Sequence, residues 1–355
     1  MSIYIHAISQ ISNQQPLTNE WFENPIWHQA RYIRSIEPDY SPFIAPMAAR
    51  RMGTVLKRAI ATGISALQQV EITIPDAIIT GTGLGCIENT EKFLTAMLEN
   101  NEECLPPTSF MQSTHNTISS QIAIHLKCHG YNNTYSHRGT SFDSALLDAV
   151  MQFQLGEIET ALVNSHDELT PAYFKLLEKI GYWKAGEVDT DVLRKHDTTG
   201  SFGTECAISV CLGAEKKSTS LCKIAGMEML YQPDQEQLQE TYSQLLTQAS
   251  ITPNDIDLVV MSLNGDVEND RCSLSIHRAL FPEIPIAWYK HIFGESYSAS
   301  GLGLMTGATI LQQQFLPEHF VYSGKIDFQK SIKHILVHNH FQNKDHSLTL
   351  LSCCD

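Results

Sequence analysis

The chain has 355 residues, 43% of them hydrophobic and 18% charged, with a formal charge of −15; that length buries a full core in one large or two ordinary domains. The acidic balance excludes nucleic acid, whose phosphates it repels, and no apolar run reaches transmembrane length, so no membrane partner is expected. Nine cysteines, an odd number with no CxxC pair, argue against a disulfide framework or zinc site and for a reduced, cytoplasmic protein with no metal and no cofactor.

Along the chain, the N-terminal stretch MSIYIHAISQISNQQ lacks the basic and apolar regions of a signal peptide. Residues 52–85 then predict a helix of apolar period near four, a turn, and a buried strand at 77–80 ending in glycines. Residues 136–156 predict a turn of small polar residues leading into a helix whose Ala145, Leu146, Ala149, Val150 and Phe153 share one face. The strand ETALVNS follows. A helix N-terminus behind such a turn is where many α/β enzymes seat a nucleophile, because its N–H groups and dipole stabilise an anion. This turn holds Arg138, Gly139, Thr140 and Ser141, and no cysteine. Residues 182–205 are rich in turn formers and read as a long surface excursion.

The second half repeats the plan. Residues 237–265 run helix, turn and strand, ending at Asn264 and Gly265; residues 294–315 form another small-residue turn and helix, followed by the strand HFVYSG. Strands alternating with crossover helices imply parallel pairing. Two matching halves imply a duplicated α/β fold with its site at the strand C-terminal ends, where the halves face each other.

The motifs in this order resemble those of the β-ketoacyl-(acyl-carrier-protein) synthase family, which has the thiolase fold, over nearly the whole chain. RRMGTVLKRAIATGISAL is similar to the family's first long helix, GTGLGCIENTEKFL to its glycine strand end, and PTSFMQSTHNTISSQIAIHLKCHG to its dimer region. GSFGTECAISVCL resembles its glycine–glutamate motif, and WYKHIFGESYSASGLGLMTGA its lysine–glycine–histidine motif. The resemblance implies two similar βαβ halves, residues 1–215 and 216–355, with central mixed sheets and covering helices. Family members take an acyl group on a cysteine and use two histidines to decarboxylate a malonyl thioester and stabilise the resulting negative charge.

Carried over by position, the cysteine falls on Gly139, the first histidine on Asn264 and the second on Glu295, while the lysine survives as Lys290 and the motif glutamate as Glu205. The family's glycine-rich gating loop corresponds to HFQNKDHS, which lacks its glycines and places Asn343 at the gating aromatic position. Glycine cannot be acylated, an asparagine amide cannot titrate, and a glutamate repels a developing oxyanion. The resemblance therefore implies a degenerate member, inactive alone and similar to a chain-length factor, which pairs with an active ketosynthase and with acyl carrier protein. Two other readings stand beside it: a synthase or acyltransferase using Ser141 or Cys86 as nucleophile, and a homodimeric acyl-binding scaffold.

Ser141 and Thr140 also suit helix capping, and Cys86 a small buried hydrophobe. His137 and His291 flank vacated positions and read as hydrogen-bonded or exposed histidines. Lys290 and Glu205 are expected to form a structural ion pair. Among His334, His338, His340 and His346, strand alternation puts His338 and His340 on one face, with no carboxylate or cysteine at ligand spacing for a metal.

Overall fold

A computed structural model describes residues 2–195, 197–325 and 330–354. Its strands are β1 (Ile3–Ile11), β2 (Ala77–Gly81), β3 (Tyr131–Tyr135), β4 (Thr160–Asp167), β5 (Cys206–Gly213), β6 (Cys222–Tyr231), β7 (Leu258–Met261), β8 (Ile286–Trp288), β9 (Val321–Ser323), β10 (His334–Phe341) and β11 (Asp345–Ser352). They form one sheet in the order β3-β2-β4-β5-β1-β6-β11-β10-β7-β8-β9.

The duplication is visible in this order. β3-β2-β4-β5-β1 in the first half is matched by β8-β7-β10-β11-β6 in the second. In each, the first two pairings are parallel and the last two antiparallel. The halves join where β1 and β6 pair antiparallel, Ile3 opposite Ile224 and Ile5 opposite Cys222. β2, and the Ala161, Leu162 and Val163 stretch of β4 ahead of its buried polar end, read as apolar runs because helices cover both faces. β1, with His6, Ser9 and Gln10 interrupting its apolar residues, gave no such signal, yet it is buried on both faces as an inner strand between β5 and β6.

Two helices, Ser141–Leu155 and Ala299–Gln313, pack against each other between the halves. Residues 299–311 are all buried, and glycines permit the approach: a Cβ on Gly301 would lie 2.7 Å from Ile208 Cγ2. The Ser141–Leu155 helix ends at Gly156, whose φ of 72° is the left-handed cap glycine favours. Helix Thr54–Gln68 covers the outer face of β1, β4 and β5, and helix Gln235–Gln248 covers β6.

Two expectations change. The segment HFVYSG contributes only β9, a three-residue edge beside β8; the counterpart of β4 is β10, which pairs parallel with β7. Residues 182–205 are no simple surface excursion. Lys184, Val188, Leu193, Phe202 and Glu205 are buried, a short helix spans Thr190–Lys195, and the segment walls one side of the site; His196 within it lies outside the described residues.

Candidate functional site

Gly139 lies in a tight turn, Arg138–Thr140, between β3 and the helix that begins at Ser141. Arg138 takes the left-handed conformation, with φ of 51°. Ser141, the first residue of that helix, ties the turn to it: its Oγ accepts the His137 N–H at 2.9 Å and donates to the Arg138 carbonyl at 2.7 Å, while the N-cap, Thr140, makes no side-chain capping bond. The His137 ring bonds the Ser144 hydroxyl at 2.9 Å. Directly over Gly139 stands Phe341, the last residue of β10. A Cβ built on Gly139 would lie 2.3 Å from Phe341 Cδ2 and 2.8 Å from its Cβ. Position 139 thus has room for hydrogen alone. Phe341 is followed by a turn in which Gln342 and Asn343 take φ of 52° and 53° without glycine. The aromatic at the site is therefore Phe341, not residue 343. Sequence reasoning passed over it, although it stands inside the quoted HFQNKDHS loop.

Asn264 and Glu295, onto which the resemblance carries the two histidines, meet. Asn264 follows β7, Glu295 follows β8, and Asn264 Nδ2 donates to Glu295 Oε2 at 2.7 Å. Lys290 Nζ donates to both Glu295 oxygens, at 2.9 and 2.8 Å, with side chains 3% and 8% exposed. The expected Lys290–Glu205 pair does not form. Glu205 belongs to the opposite wall, where Arg58 meets it at 2.7 Å and the Ser35 and Leu169 N–H groups donate to it. Burial pushes the Glu205 carboxyl up, but Arg58 and these hydrogen bonds outweigh it and hold it below the ordinary value. Glu295 itself supplies Lys290 with a buried carboxylate partner. Behind Asn264, Asp270 accepts the N–H groups of Asn264 and Gly265 at 3.1 and 2.8 Å and fixes the loop.

Asp167, at the end of β4, was not singled out from sequence. It accepts from Thr82, Gly83, Leu84 and Ser298, and burial raises its carboxyl to about 6. Cys86 is pushed up to about 12 by burial and by Glu168 and Asp167, so it holds no thiolate near neutral pH. His291 stacks on Trp288 at 4.0 Å between centroids, away from Lys290. His338, His340 and His346 do share one face, and Tyr242 and His346 bond the two His338 nitrogens at 2.8 and 3.0 Å. His334 stands apart on Ser352. Among the described residues no cluster of three or more His, Cys, Asp or Glu is placed to hold a metal ion.

Phe341 divides the space around the site. An outer cleft of about 390 Å³ reaches Asn264 and Glu295. The inner pocket, between Asp167, Glu168, Trp183 and Tyr297, holds about 20 Å³, room for little more than one water. A third cavity of about 630 Å³ opens beside Arg138 and Lys344.

Comparison with solved structures finds the same fold throughout. The ishigamide ketosynthase/chain length factor superposes with a TM-score of 0.80 at 15% identity, covering 100% of this chain and 99% of that one. A ketosynthase in complex with its chain length factor from Xenorhabdus doucetiae gives 0.79 at 13%, covering 99% and 98%. A beta-ketoacyl synthase from Burkholderia phymatum STM815 gives 0.79 at 12%, covering all of both chains. No protein of curated function matches by sequence. The family profile described as Beta-ketoacyl synthase, N-terminal domain, matches residues 19–251, more than half of the chain. This chain belongs to the β-ketoacyl synthase family.

Proposed function

We propose that the chain is a non-condensing, chain-length-factor-like subunit of an acyl-chain-building system, paired with an active ketosynthase and served by acyl carrier protein. One observation carries the reading: Phe341 fills the space above Gly139, so the nucleophile position has neither a side chain nor room for one. The histidine positions support it. Glu295 accepts from both Asn264 and Lys290, leaving neither position with a titratable donor aimed at a developing oxyanion. The inner pocket is too small for an acyl chain, so this subunit acts on chain length through the surface it gives its partner. That also disfavours the acyl-binding scaffold. The bonds that tie Ser141 into the turn and the raised Cys86 thiol disfavour a substitute nucleophile. The solved pairs of ketosynthase and chain length factor are the structural precedent.

We divide the halves at residues 215 and 216, between β5 and β6, on the strength of the repeated strand order; the family's N-terminal profile runs past this point, to 251. We place the protein in the cytoplasm: its nine cysteines are all free, and no helix among the described residues is long and apolar enough to cross a membrane. The test is twofold. Purified chain with acyl and malonyl carrier thioesters is expected to release no carbon dioxide above background. Co-expressed with a ketosynthase from its own genome, it is expected to elute as a heterodimer. Turnover at the rate of an ordinary synthase, or failure to capture any synthase, rejects the proposal.

A further inference from the structure

Residues 87–116 stand apart from the rest of the fold. They hold two helices, Ile87–Glu99 and Pro107–Gln112, and none of these residues is buried. The chain on either side is anchored: Cys86 is buried just before them, and Thr117 and Ile118 just after. Leu94 and Leu98 are 52% and 83% exposed, and no apolar residue of the segment joins the hydrophobic core or packs against it. A surface helix ordinarily buries an apolar stripe against the core. These two helices have each other instead, with the Phe93 and Phe110 ring centroids 5.2 Å apart.

Few bonds tie the segment down. Beyond its own flanks, three hydrogen bonds reach the body of the protein among the described residues. Glu168 Oε1 accepts the Glu88 N–H at 2.9 Å, Thr170 Oγ1 donates to Glu91 Oε1 at 2.6 Å, and Gln112 Nε2 donates to the Arg51 carbonyl at 3.1 Å. Just ahead of the longer helix, Gly85 takes φ of 60°, a left-handed conformation that glycine adopts without strain. Segments with few buried apolar contacts and exposed backbone hydrogen bonds open locally, at free energies well below that of global unfolding.

We propose that residues 87–116 are a strap that opens as one unit while the rest of the fold stays intact, hinged at Gly85 and latched by Glu168 and Thr170. Glu168 gives the opening a consequence at the site. It is buried and lines the inner pocket, and the Glu88 N–H is the one hydrogen-bond partner of its side chain among the described residues. An open strap therefore takes the donor from a carboxyl on the inner-pocket wall. Opening needs no synthase partner, so failure of this inference leaves the partner-subunit reading untouched.

Hydrogen–deuterium exchange of the full chain, read by peptide mass, tests it. Backbone amides of residues 94–99 are expected to exchange about a hundredfold or more faster than those of the helix Thr54–Gln68, yet more slowly than an unstructured peptide. Phe110→Ala, across the contact between the two helices, is expected to speed exchange in both of them about fivefold. Glu91→Ala, which removes the Thr170 bond, is expected to speed both by about the same factor. Thr54–Gln68 keeps its wild-type rate in each variant. Exchange of residues 94–99 as slow as in Thr54–Gln68, exchange at the rate of an unstructured peptide, acceleration by Phe110→Ala confined to its own helix, or equal acceleration of Thr54–Gln68 overturns the proposal.

Discussion

At Gly139 the absence of a side chain and the place of Phe341 are two sides of one packing arrangement. A cysteine placed there again would meet the base of the Phe341 side chain, which a rotamer change at its tip does not move. Gly139→Ala is therefore expected to destabilise the chain by about 1–3 kcal/mol, as overpacking does. In a double-mutant cycle with Phe341→Ala the two changes are expected to couple favourably by about 1 kcal/mol or more. Urea unfolding of the four proteins checks both, and strict additivity refutes the contact. The triple variant Gly139→Cys, Asn264→His, Glu295→His should stay slow for the same reason. The Lys290–Glu295 pair makes a second residue-scale case. Lys290→Met leaves a buried carboxylate without its cation, at a cost of about 3–5 kcal/mol. Adding Glu295→Gln is expected to recover most of that loss, and thermal unfolding of single and double variants decides it.

The β10–β11 hairpin shows how an element carries a pH response. His340 and His346 are cross-strand partners and His338 shares their face. Burial, then the neighbouring His346, His340 and His277, hold His338 well below its ordinary value; burial and His340 lower His346 to about 4. Both favour the neutral ring in the folded state, while the unfolded chain takes up protons near pH 6.5. Their stability is therefore fully present above about pH 6.5 and lost as the pH falls toward 4. For His346 alone the loss is about 3 kcal/mol. Asp167, raised by burial to about 6, acts in the opposite sense, losing stability as the pH rises through that value. Comparison with His346→Leu isolates the histidine: the wild type is expected to lose more stability than the variant between pH 7 and about pH 4.5. Parallel pH profiles would contradict it.

For the whole molecule, the sheet is continuous through both halves but stops at an open edge, β3. Beside that edge, helix Thr117–Leu126 and the segment before it expose Ile124, Met111 and Phe110, at 67%, 69% and 57%. Exposed strand edges with apolar neighbours invite pairing with another chain, and this is the region that resembles the family's dimer segment. Ile124→Asp is expected to leave unfolding stability within about 0.5 kcal/mol, as for an exposed position. It should weaken assembly with a partner subunit about tenfold or more. Light scattering across a dilution series measures the second, and an unchanged mass at every concentration would place the interface elsewhere.

The duplicated α/β architecture was legible in the sequence, because it rests on local information. Apolar period, glycine placement and motif order survive wide sequence divergence. Asn264 and Glu295 lie next to strand ends that their own neighbours mark, and the structure places them together there. β1 escaped notice because a strand buried on both faces loses the alternation that reveals one, and its polar residues broke the apolar run. Contacts between distant segments were beyond sequence reasoning. That Lys290 turns to Glu295 and Glu205 to Arg58 depends on which walls face each other across the cleft. That Phe341 lies on Gly139, about two hundred residues away along the chain, depends on where the β10 strand ends against the first half's helix. Periodicity reports which way a side chain points from its own element; only the packing of elements decides what it meets there.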